Sequence, residues 1–270
     1  MRRLACAVLL WAAAVAATPC AAQSPVYIPI PGGTLSSVLA RNADIGPSRI
    51  AAFEMRETPV TVSDWRRFVT GHPEWQRGRV ARAFADEGYL RDWRTEVDPP
   101  PGARALQPIT SVSWFAAQAY CETEGARLPT WPEWEYVAAA DAGRRDARAD
   151  PAWRSRILAW YGRPATQALP DVGGEPNAYR VRDLHGLVWE WVDDFNALLI
   201  NPDSRSAEDP DKLQFCGAGA IDLQDRENYA VLMRVALLSS LDAAQSTSSL
   251  GLRCVRPLPH LLPHLLKETP

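Results

Sequence analysis

The sequence predicts an irregular fold of mixed helices and strands, rich in turns and poor in long regular segments. Two facts of composition and one pattern lead there. The chain of 270 residues holds 11 Trp. An indole buries a large area and needs a partner for its ring N–H, so a Trp-rich core packs side chains at many angles rather than in flat layers. The chain also holds 23 Pro and 16 Gly, residues that end regular elements and begin turns. The pattern is a few short helix starts separated by stretches without periodicity. With 47% hydrophobic and 23% charged residues, the composition is that of a globular protein long enough for one large domain or two small ones. No break in composition marks a second domain, and no internal repeat is long enough for a solenoid.

Taken in order, residues 1–22 read as a secretory signal. Arg2 and Arg3 precede an apolar run from Leu4 to Ala17 that is too short to span a membrane, and Cys20-Ala21-Ala22 offers small residues for a cut before Gln23. A lipid-modified Cys20 is disfavoured by Pro19. Val26–Gly33 reads as a strand running into a glycine turn. Thr61–Thr70 reads as a helix capped by Thr61, with Trp65, Phe68 and Val69 on one face and Gly71 ending it. Residues 72–109 are polar, proline-rich and irregular. Ser113–Glu124 is the clearest helix, capped by Ser113 and stopped at Gly125. Thr130-Trp-Pro-Glu133 is a capping box that starts another helix, running to about Ala140. Asp141–Arg156 reads as a charged surface excursion. Short strands and loops are expected from Trp160 to Arg256. The domain is expected to cover residues 23–257, with 258–270 as a loosely attached tail.

Cleavage would make the formal net charge, −3 over the whole chain, more negative by the loss of two arginines. With no basic stripe visible, a nucleic-acid partner is excluded. No later stretch is long and apolar enough to cross a membrane as a helix. The cysteines left after cleavage are Cys121, Cys216 and Cys254. An oxidising compartment, periplasmic or extracellular, favours one disulfide and one remaining thiol.

Three segments belong together: Gly125–Tyr136 (GARLPTWPEWEY), Asp183–Trp191 (DLHGLVWEW) and Gly251–Arg256 (GLRCVR). With Ile28-Pro-Ile-Pro-Gly-Gly33, Glu57–Thr61, Pro108–Trp114 and Ala119-Tyr-Cys121, they make the chain resemble the formylglycine-generating enzyme family, the sulfatase-modifying factors. The resemblance covers most of residues 23–257. It implies an irregular α+β domain, distantly similar to C-type lectins, with little regular secondary structure. Fold alone does not fix function.

The resemblance also implies site residues. In family members that carry it, a cysteine ending the Ala-Tyr-Cys helix pairs with one in the closing Gly-x-Arg-Cys strand, which here means Cys121 with Cys254; two buried thiols are the other reading. A structural calcium is implied at the Asp183 side chain, the carbonyls of Gly186 and Val188, and the Glu190 side chain, oxygen donors of the kind calcium takes. Leu187 stands where relatives usually carry Asn. His185, inside this turn, reads as a packing residue rather than a metal ligand. His260 and His264 have helical metal-ligand spacing, but Pro263 lies between them and argues against a regular helix.

The family's oxidases bind Cu(I) through two thiolates just after a Gly-Gly-Ser strand, soft ligands suited to that ion. The corresponding stretch, Phe215-Cys-Gly-Ala-Gly-Ala220 and Ile221–Val231, holds no cysteine after the glycines. Copper is therefore not expected. Cys216 reads foremost as a small buried apolar residue, and a mixed disulfide with another protein is also open to it. Cys216 and Glu190 are the catalytic candidates. Other groups on this fold lack the cysteine pair, and an exported maturation factor resembling the pyoverdine-associated group is the nearest fit. Its substrate would be another protein or a secreted small molecule, met in a groove near Trp189, Glu190 and Ile221–Arg234. The alternative is a non-catalytic module on the same fold that binds a protein or glycan.

Overall fold

The computed structural model describes residues 24–37, 47–162, 168–198 and 229–258, with backbone alone for 229–232. The expected signal, Cys216 with its glycines, His260 and His264 lie outside the described residues.

Short elements and long connections make up the domain, mixing helix and strand as expected. β1 (Tyr27–Ile30), β4 (Phe53–Arg56) and β7 (Val255–Pro257) form one antiparallel sheet in the order β1-β4-β7. Its register pairs Tyr27 with Arg56 and Met55 with Val255, so the chain's first and last described strands share one partner. β2 (Gly33–Leu35) pairs with β3 (Ser48–Ile50), and β5 (Trp189–Glu190) runs parallel to β6 (Leu250–Gly251).

The helices start where their caps stand. In α1 (Val62–Gly71), the Thr61 hydroxyl accepts from the Asp64 amide while the Asp64 carboxylate accepts from the Thr61 amide. Two of the orphan donors of the first turn are thereby satisfied. α3 (Trp131–Ala138) repeats the device with Thr130 and Glu133, and Ser113 caps α2 (Trp114–Thr123). These three follow the sequence within a residue or two at each end.

Two helices depart from it. α4 (Pro151–Tyr161) lies where a surface excursion was expected. Its start signal is present: Asp150 accepts from the Ala152 amide and Pro151 opens the first turn. Trp153 and Ile157, one helical turn apart, pack with Ala147 and Tyr161 into a small cluster of their own. α5 (Tyr229–Ser239) replaces the loops expected there, and buries Val235 and Leu238 in the main core. Its run of apolar residues broken only by Arg234 carries helical spacing that short strands do not explain.

The core is indole-rich. Trp65, Trp131, Trp134 and Trp191 are buried almost completely. Trp191 Nε1 donates to the Val112 carbonyl at 3.0 Å, Trp131 Nε1 to Glu135 at 2.7 Å and Trp134 Nε1 to Glu190 at 2.8 Å. Each of these three rings therefore orients a backbone or carboxylate group as well as filling space. Among the described residues no helix is long and apolar enough to cross a membrane.

Candidate functional site

The turn from Asp183 to Trp191 is held from three sides. β6 supplies the backbone: Trp189 N–H donates to the Ser249 carbonyl at 2.9 Å and Trp191 N–H to that of Gly251 at 3.0 Å. Gly251 has no alternative here, because a Cβ would sit 2.5 Å from the Ile109 carbonyl oxygen. The extended step from Leu250 to Cys254 then places Arg253 beneath the turn.

Glu190 and Arg253 are fully buried. Arg253 Nη2 donates to Glu190 Oε1 at 2.7 Å, and its Nε to Oε2 at 2.8 Å. Trp134 Nε1 is the second donor to Oε2. The remaining guanidinium hydrogens reach the carbonyl of Arg182 at 2.9 Å and, more loosely, those of Arg56 and Glu57. A bidentate pair with its spare donors satisfied is the geometry in which a buried ion pair is tolerable.

Arg234 enters from α5. Its guanidinium lies 3.5 Å from the centre of the Trp134 ring and donates to the Glu190 carbonyl at 2.5 Å. Loss of water pushes its pKa down to about 10, with the Glu190 charge opposing, so it remains a cation at neutral pH. His185 sits edge-on between Trp134 and Trp153, with ring centres 5.4 and 5.6 Å away. Its Nε2 lies 3.0 Å from the Ala138 carbonyl, an acceptor, so that nitrogen carries the proton and buried Nδ1 is bare. Burial pushes the imidazole pKa down to about 4, and the Arg234 and Arg253 charges add to this. The packing role expected of His185 is the one its contacts describe.

Asp183 adopts a left-handed backbone, φ 60°, and turns its carboxylate back on the chain. Its oxygens accept from the amides of Gly173 at 2.7 Å and Gly174 at 3.0 Å. The calcium set can be tested against these bonds. Asp183 uses part of its lone-pair capacity and is half-buried. Glu190, by contrast, is sealed from water and already balanced by the Arg253 guanidinium. In this pairing Glu190 would have to release Arg253 before Asp183, Gly186, Val188 and Glu190 could hold a calcium ion together. The same contacts occupy both Glu190 oxygens and leave neither open to solvent.

A disulfide ties this region to the first sheet. Cys121, near the end of α2, is bonded to Cys254, with Cα atoms 5.5 Å apart at a sequence separation of 133. Beside it, Arg56 donates to the Tyr120 hydroxyl and the Glu124 carboxylate, each at 2.7 Å, and pairs with Asp64.

Arg253 stands inside the GLRCVR motif and had no role in the sequence reading; its place directly before the bridging Cys254 was the available signal. Arg234 ends the Ile221–Arg234 stretch expected beside Glu190, and it does meet Glu190, but from a helix where loops were expected.

A hercynine oxygenase from Mycolicibacterium smegmatis is 33% identical over 53% of this chain and 37% of its own length. A formylglycine-generating enzyme from Streptomyces coelicolor is 31% identical over 68% of this chain and 61% of its own. The chain thus spans less than two thirds of either relative. An inactive Cα-formylglycine-generating enzyme 2 from Mus musculus is 28% identical over 86% of each chain. Among solved structures, PvdO from Pseudomonas aeruginosa is 17% identical, covering 88% of this chain and all of its own, with a TM-score of 0.47. Residues 12–258 match the sulfatase-modifying factor enzyme 1-like domain, and with that span the chain belongs to the sulfatase-modifying factor family.

Proposed function

We propose that this protein is an extracytoplasmic member of its family that matures or assists another protein or a secreted metabolite, without copper-dependent oxidation of a thiol. The observation that carries this reading is the fate of its cysteines. Of the 5 in the chain, Cys121 and Cys254 are bonded to each other. Cys6 and Cys20 precede the expected cut at residue 22. Cys216 is left without a second thiol, whereas linear Cu(I) binding takes two. The relative named as inactive, similar along most of both chains, supports a family member that has left that reaction. Export is supported by the Arg2-Arg3 start, the apolar run after it and the disulfide.

A second reading has its own support. Glu190, the other catalytic candidate, is locked by Arg253 and Trp134, which favours a domain that presents a surface to a protein or glycan and performs no chemistry. One experiment separates the two. The gene is deleted in its native host, and intact masses of the products of neighbouring genes are compared before and after complementation. The maturation reading expects one product to lose a modification, and expects wild type and Cys216→Ala to restore it equally. Restoration by wild type alone would return thiol chemistry to the protein and defeat the proposal. Unchanged masses throughout would leave the binding module.

A further inference from the structure

Away from the buried ion pair, the irregular stretch between α1 and α2 forms a cleft of about 700 Å³, inside the range of roughly 300–1,000 Å³ typical of small-molecule sites. Arg77, Arg82, Arg91 and Arg94 line it. Arg82 is paired with Glu87 at the solvent edge. Asp86, which also faces the cleft, spends its oxygens on the amides of Gly88 and Ser246. Arg77, Arg91 and Arg94 have no carboxylate within ion-pair distance among the described residues, and Glu96 is the acid left to oppose them. Four arginines against the carboxylates of Asp86, Glu87 and Glu96 leave this concavity with a small excess of positive charge, in a chain whose net charge is −3.

The cleft is also held in shape. Tyr89 and Leu90 are buried in the main core, and the Tyr89 hydroxyl donates to the Trp75 carbonyl at 2.7 Å. Asp86 N–H donates to the Ala244 carbonyl at 2.8 Å, and Leu90 N–H to that of Ser111 at 2.9 Å. Gly88 lets this wall close, since a Cβ would meet the Ser246 carbonyl oxygen at 2.7 Å. The wall is therefore fixed, and Arg91 and Arg94 on it are exposed. Guanidinium forks match planar and tetrahedral oxyanions in a bidentate way, and a pre-shaped concave surface raises their local attraction.

We propose that this cleft is a binding site for a small, multiply charged oxyanion, a polycarboxylate or a phosphate- or sulfate-bearing molecule. The site is separate from the one discussed under the proposed function and does not depend on it. The test is calorimetric titration of the mature protein with citrate, inorganic phosphate and inorganic sulfate, at ionic strength held constant with sodium chloride. At least one probe is expected to bind saturably, one per chain, below about 10 mM. Strongest binding by citrate assigns carboxylates; strongest binding by phosphate or sulfate assigns a tetrahedral anion. Arg91→Gln with Arg94→Gln should weaken binding about tenfold or more, while Arg156→Gln, which removes an arginine elsewhere on the surface, should leave it unchanged. If the first pair lowers the melting temperature, Arg77→Gln with Arg94→Gln takes its place. No saturable binding of any probe, an affinity within about twofold of wild type in a folded double variant, or an equal loss in Arg156→Gln would each overturn the proposal.

Discussion

Replacing Glu190 by Gln removes one charge from a pair that has no solvent exposure on either side. The amide keeps the size of the carboxylate and an acceptor for Trp134. It cannot balance the Arg253 guanidinium, which stays in the core facing carbonyl dipoles and the second cation, Arg234, at the same turn. Stranding a buried charge in this way costs about 3–5 kcal/mol. For a domain of this size, 1 kcal/mol corresponds to roughly 2–4 °C in melting temperature, so a fall on the order of 10 °C is expected. Arg253→Met should cost a similar amount, since it leaves Glu190 buried without its counter-charge. The double variant should then lose less than the two singles added together, with a coupling of about 2 kcal/mol or more, because the charge leaves with its partner. Urea unfolding monitored by Trp fluorescence gives all corners of the cycle, and the m-value checks that the unfolding remains comparable. Additive losses, or a loss below about 1 kcal/mol in Glu190→Gln, would refute the claim that this pair holds the turn.

Three further outcomes are expected. Titration of unfolded mature protein with a thiol reagent should find one free thiol, Cys216; preventing the Cys121–Cys254 bond with Cys121→Ser and Cys254→Ser should cost up to about 5 kcal/mol by the loop-entropy model, and three free thiols in the parent would remove the bridge. His185, with its folded pKa pushed down to about 4, binds fewer protons folded than unfolded, where the value is about 6.5. Its contribution is therefore complete above pH 6.5 and lost as pH falls toward 4, up to about 3 kcal/mol. The wild-type minus His185→Phe stability difference should show that slope, and a flat difference would contradict it. Chelation with EGTA, and separately the addition of about 1 mM calcium, should leave the melting temperature within about 2 °C, since Arg253 already balances Glu190; a calcium-dependent rise of several degrees would restore the Asp183, Gly186, Val188 and Glu190 set.

What was legible in the sequence was local. Thr61, Ser113 and Thr130 mark helix starts because a cap acts within three residues of itself, and their bonds fall where the residue types require. The pairing of Cys121 with Cys254 was legible through resemblance. What was not legible came from distance along the chain. The partner of Glu190 is 63 positions away, and nothing in a Trp-Glu-Trp segment tells a solvated acid from a sealed one. The carboxylate that the resemblance offered to calcium, and that stood as a catalytic candidate, accepts here from a guanidinium and an indole. α4 is a different miss. Asp150 and Pro151 announced it, but the arginines on either side looked like a solvated loop, although most of a surface helix can be charged while Trp153 and Ile157 alone face inward.

The order of Leu252, Arg253 and Cys254 near the chain's end has a consequence for how the molecule comes into being. One short stretch delivers both the covalent link to α2 and the positive charge that Glu190 awaits. Until those residues have left the ribosome, Trp134 and the turn above it enclose an acid with no counter-charge, and Cys121 has no bonding partner in the native arrangement. Everything between is committed to wait for its final piece, so a chain interrupted before residue 253 should fail as a whole rather than yield a shorter working domain.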